Sequence, residues 1–121
     1  MLEHLRTRAA ATLGEADSAF LATCGPAGPL VSCVACRPDG LCLRVAVPAG
    51  SDHLFNLELD RTVAVATGRW ELRGTATVVD PGTQPPERAP APAGLVVVEV
   101  RPRRLTLIAR DGLANTETID F

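Results

Sequence analysis

The 121-residue chain has no lysine and no tyrosine: all 12 of its basic side chains are arginine, and its aromatics amount to 3%. Without an ammonium side chain there is no Schiff-base chemistry, pyridoxal catalysis included, except at the N-terminal amine. Four aromatic rings, Phe20, Phe55, Trp70 and Phe121, are too few for a stacking platform that reads single-stranded nucleic acid. The formal charge of −2 also argues against a surface that tracks phosphates, so no nucleic-acid partner is expected. No run approaches the roughly 18 apolar residues of a membrane span, and the start, MLEHLRTR, puts charge where a leader would be apolar. The expectation is a cytoplasmic, unprocessed protein with no membrane partner.

What is present suits one compact domain over residues 1–121. The sequence is 46% hydrophobic and 21% charged, enough to build a core without disulfides or a structural metal. Leu2, Leu5, Ala9 and Leu13 fall on one helical face with Arg6 and Arg8 turned away, and Gly14 is a stop, giving an opening helix over 1–14. After Asp17 the period changes. SAFLATC reads as a strand, GPAGP as a tight turn and LVSCVACR as the returning strand. Asp39-Gly40 predicts a type I′ turn into LCLRVAV, which Pro48 ends.

Gly50-Ser51-Asp52 is a helix start, with Ser51 as the cap and Asp52 favoured by the dipole, and predicts a short helix over 52–59. RTVAVAT and RWELRGTATVV then pair around Gly68, with a bulge at Gly74. Five prolines between Pro81 and Pro92 make 81–93 an extended connection. GLVVVEV and RRLTLIA supply two last strand pieces separated by Arg101-Pro102, and 111–121 reads as a polar, loosely held tail. The fold class is mainly β (α+β): six or seven short antiparallel strands closing into a barrel, an N-terminal helix and a short helix after the third strand. The apolar runs VAVA and VVV point to burial on both faces, which a homodimer or the opening helix would provide.

Cys33 and Cys36 spell CxxC, but on a strand they face opposite ways, so neither zinc binding nor thiol redox work is favoured. The four cysteines read as small hydrophobes. Two histidines and scattered acids offer no hydrolytic triad and no carboxylate pair, and there is no phosphate loop, HExxH or GxSxG. The Arg101, Arg103 and Arg104 group, with Glu99 and Asp111 nearby, reads as a solvated rim.

The order of elements, with AFLATCGPAGPLVSCV, SDHLFNLELDRTVAV and LRGTATVV in register and VVVEVRPRRLTLI as a weaker continuation, resembles the pyridoxamine 5′-phosphate oxidase-like FMN-binding split barrels. The resemblance spans roughly residues 18–80. It implies a split β-barrel homodimer, a small-molecule ligand in grooves at the subunit interface, FMN as cofactor and, if the protein is active, flavin-dependent oxidoreduction without a catalytic side chain. The family's phosphate-holding segment corresponds to Val47–His53. Its usual threonine, serine and arginine–lysine pair fall on Val47, Ser51, Asp52 and His53, and only Ser51 is kept.

Asp52 has the wrong sign for a phosphate dianion, a change worth several kcal/mol at about 4 Å and an effective dielectric of about 20. The resemblance therefore leaves the helix start, His53 and two substitute cations, Arg44 on the third strand and Arg69 by the next hairpin, to hold the ligand. Trp70 beside Arg69 is either a packing anchor or a ring-stacking group. The chain ends ETIDF and lacks the Arg-Leu-Ala-Pro-like segment of true pyridoxamine phosphate oxidases, so vitamin B6 oxidation is not expected. The alternatives are a flavin-free split-barrel dimer acting as a binding or interaction module, and a groove holding a deazaflavin or haem.

Overall fold

A computed structural model of the chain describes residues 2–79, 94–109 and 112–121. The expected connection over 81–93 lies outside them. Helix α1 (Leu2–Gly14) is followed by strands β1 (Ser18–Thr23), β2 (Leu30–Asp39) and β3 (Cys42–Pro48), helix α2 (Asp52–Leu57), and strands β4 (Thr62–Ala66), β5 (Trp70–Val78), β6 (Leu95–Ala109) and β7 (Gly112–Asp120). All pairings are antiparallel, in the order β3-β2-β1-β4-β5-β6-β7, and β3 also pairs with β6. That extra pairing closes six strands into a barrel and leaves β7 on its outside.

The period-2 patterning sorts the side chains. In β3 the inward set is Leu43, Val45 and Val47, while Arg44 and Ala46 take the other face. Leu21, Val65, Leu72, Trp70, Val98 and Leu105 complete the centre of the core, and α1 caps it with Ala9 and Leu13 as its sequence predicts. In β4 Val63 and Val65 of the VAVA run are buried and in β6 only Val98 of the VVV run is, so within one chain the second face of these strands is only partly covered.

Four expectations are corrected. The β2–β3 loop is Gly40-Leu41, since Asp39 pairs with Cys42. Gly40 has φ 64° and no described non-glycine residue has positive φ, a sign pattern of a II′ rather than a I′ turn, which would need both central residues positive. Helix α2 ends at Leu57, two residues short of prediction. The two final strand pieces are one 15-residue strand, β6. Pro102 is tolerated there because the β3 partnership ends at Val100 and that of β7 begins at Arg104, so its missing N–H falls between two ladders. On the other side Pro102 meets Gly74 at the β5 bulge, which was expected. Finally, the polar tail is the strand β7: Ile119 is buried, Asp120 pairs with Arg104 at 2.7 Å, Glu117 bonds Arg8 of α1, and the Arg6 guanidinium lies 5.5 Å from the Phe121 ring centre. No described helix is long and apolar enough to cross a membrane.

Candidate functional site

Where β3 runs into α2, the chain turns through Ala49-Gly50 and Ser51 caps the helix. Ser51 is extended (φ −67°, ψ 140°) and its Oγ accepts the His53 N–H at 3.1 Å. Asp52 follows, exposed, in the first turn, where its carboxylate complements the helix dipole. The serine hydroxyl and the first acidic side chain thus serve the helix's own end.

The other polar groups of α2 point inward and tie it to the β1–β2 hairpin. His53 and Asn56 are 1% and 0% exposed, and Thr23, the last residue of β1, is 4% exposed. The Asn56 side chain behaves like a piece of turn backbone: Oδ1 accepts from the Ala27 N–H at 2.8 Å, and Nδ2 donates to the Gly28 carbonyl at 2.9 Å and to Thr23 Oγ1 at 3.0 Å. Thr23 Oγ1 in turn lies 2.8 Å from His53 Nδ1. Gly25 makes this approach possible, since a β-carbon there would stand 2.8 Å from the Asn56 Cα and carbonyl oxygen. Burial pushes the His53 pKa down, and Asp52 opposes that more weakly, so the imidazole is neutral at pH 7.

The six residues expected to hold a ligand do not form one pocket within a single chain. Val47 is wholly inside the barrel and offers no polar atom. Arg44 lies on the opposite face of β3, half-buried, with its Nη2 3.3 Å from Oε2 of Glu99, its directly paired neighbour on β6. Ser51 and His53 adjoin at α2. Arg69 is exposed in the β4–β5 turn, its N–H held by Thr67 Oγ1 at 3.0 Å. Trp70 beside it is 1% exposed, so its ring packs in the core and offers no face for stacking. Pro48 pairs with Leu95 at one end of β6 and Trp70 with Leu107 near the other, which puts the two groups at opposite ends of a long strand. Only a second copy could bring Arg69 to α2.

Thr23, Asn56 and Gly25 escaped the sequence reading. An asparagine with poor helix propensity next to the apolar Leu54, Phe55 and Leu57 of a short helix was the available signal, because such a side chain needs partners when buried. Of the CxxC pair, Cys33 is exposed and Cys36 buried, on opposite faces of β2 as expected. Burial first, then the Asp17 carboxylate, pushes the Cys36 thiol pKa up, away from reactivity. Among the described residues no three His, Cys, Asp or Glu side chains are placed to hold a metal.

A phosphate dianion does not fit the donor set at α2. The cap hydroxyl is engaged, the next side chain is an exposed carboxylate, the histidine is buried and neutral, and the strand end is valine. No chemical step through a flavin can be built on these residues.

No protein-family model matches the chain, and no curated protein matches it by sequence. Solved structures do. General stress protein 26 from Bacillus anthracis superposes with a TM-score of 0.73 at 18% identity, covering 98% of this chain and 99% of that one. A protein related to general stress protein 26, of the pyridoxinephosphate oxidase family, from Clostridium acetobutylicum gives 0.71 at 10%, covering 98% and 95%. An F420 reductase gives 0.59 at 26% identity over 78% of this chain and 93% of that one. A heme binding protein from Mycobacterium smegmatis gives 0.63 at 16%, over 95% of this chain and 56% of its own. In fold, over nearly its full length, the chain is a split barrel of the pyridoxamine 5′-phosphate oxidase-like and general stress protein 26 kind.

Proposed function

We propose that the chain is a flavin-free split-barrel homodimer acting as a binding or interaction module, with a groove suited to a small ligand that carries no phosphate. The observation that carries this reading is the state of α2, where the Ser51 hydroxyl is engaged by the cap, His53 is buried and Asp52 is negative.

Pairing is supported by the outer face of β2, β1 and β4. Cys33, Phe20 and Ala66 form one cross-strand row on it, and Val31, Ala22 and Ala64 the next. Phe20 is 56% exposed and Val31 65%. A sheet face turned to water is ordinarily polar, and an apolar one of this kind marks a contact surface. A second copy would cover it and complete a groove that one chain leaves divided between the two ends of β6.

A second reading, FMN-dependent oxidoreduction with arginines in place of the lost phosphate ligands, is favoured by Arg69, whose exposed guanidinium has no side-chain partner among the described residues. One experiment separates the two. The purified protein is scanned in the visible range, titrated with FMN while flavin fluorescence is followed, and sized by light scattering. A colourless dimer that leaves flavin fluorescence unchanged supports the module. Saturable quenching that Arg44→Ala and Arg69→Ala weaken more than His53→Ala at pH 8 supports the oxidoreductase, and a monomer overturns both.

A further inference from the structure

We propose that His53 is an acid-sensitive latch: protonation of its buried ring loosens the seat of α2 on the β1–β2 hairpin, opening the end of the barrel at which α2 begins. The latch is a property of the fold and does not depend on what occupies the groove.

The Asn56 amide is oriented by the Ala27 N–H on its oxygen and the Gly28 carbonyl on its nitrogen, so Nδ2 is the group that donates to Thr23 Oγ1. The same threonine oxygen stands 2.8 Å from His53 Nδ1, as donor or as second acceptor according to the imidazole tautomer. In either tautomer the other ring nitrogen, Nε2, is buried and has no hydrogen-bond partner. An imidazolium carries a proton on both nitrogens, so protonation leaves a buried, charged N–H at Nε2 that no group accepts.

Little else could hold an imidazolium in place. From β1 the ring faces the Thr23 hydroxyl. The neighbouring turn contributes the Ala27 and Gly28 backbone groups already taken by Asn56, and Cys24 beside Thr23 is exposed. Asp52, on the helix itself, is the charged group that acts on the ring, and it lies in solvent. β1 is the chief packing partner of this six-residue helix, so a charge placed on His53 weakens that packing, while Asn56 still ties the helix to Ala27 and Gly28. Burial holds the native His53 pKa below the ordinary histidine value of about 6.5, so the released state binds the proton more readily. Closure is therefore at full strength above about pH 6.5 and is lost as pH falls from there toward the native value, by up to about tenfold in the opening equilibrium per pH unit.

The test is an NMR titration of the full chain from pH 8 to 5, with His4→Gln used to assign the second ring. Amide exchange over Leu54–Glu58 is corrected for intrinsic rates and compared with β1 and β5. The expected result is a His53 ring that resists protonation until it titrates together with loss of α2 protection, opening increasing about tenfold or more between pH 6.5 and 5. In His53→Asn, whose amide oxygen can still accept from Thr23, that pH dependence should disappear. If this variant does not fold, the wild-type data decide alone. A ring titrating at the ordinary value, or α2 protection that does not change with pH while the barrel stays folded, overturns the latch.

Discussion

Gly74 stands opposite Pro102 at the β5–β6 bulge, and a β-carbon on Gly74 would lie 2.3 Å from the carbonyl oxygen of Arg101. The clash is with backbone, which cannot rotate away. Gly74→Ala is expected to destabilise the barrel by about 1–3 kcal/mol, read as a lower urea midpoint at unchanged slope. A midpoint within error of wild type would mean that the bulge moves freely.

Asn56 closes three hydrogen bonds between α2 and the hairpin. Asn56→Ala leaves the Ala27 N–H and the Gly28 carbonyl short of partners, at a cost of about 1–3 kcal/mol. Amide exchange at Ala27 should accelerate more than exchange in β5, which distinguishes loss of this tie from general weakening.

Trp70 is the only tryptophan and is buried beside the β5–β6 ladder. Its fluorescence should therefore be blue-shifted when folded and shift red in one transition with urea. Trp70→Ala is expected to cost about 3–5 kcal/mol, and a loss below 1 kcal/mol would show that the ring is not packed as described.

The two contacts of β7 should differ in weight. The Arg8–Glu117 pair is exposed, so Glu117→Gln is expected to change stability by about 1 kcal/mol at most, less in high salt. Ile119 is 2% exposed, and Ile119→Ala is expected to cost about 2–5 kcal/mol by the same denaturation measurement.

Most of the barrel was legible because its strands alternate. Leu43, Val45 and Val47 against Arg44 and Ala46 show β3 plainly, and Gly14, Ser51 and Gly74 each announced the device they form. β7 did not alternate visibly: in TETID a single isoleucine carries the buried face, and polar strands of that kind are recognised only by their neighbour. Pro102 misled because the rule against proline in strands concerns a ladder bond, and whether that bond exists depends on the ends of β3 and β7. At the candidate site the sequence showed which groups were lost, but the hydrogen bonds joining Thr23, His53 and Asn56 cross some 30 residues of chain and leave no local pattern.

The pairing of β3 with the first half of β6 closes the cylinder before β7 is added, so the C-terminal strand is an outer edge of the described sheet. Glu117 and Asp120, paired with Arg8 and Arg104, put charged side chains along that edge. They make it a poor template for recruiting strands from other molecules, and so guard a small all-antiparallel protein against growing into fibrils.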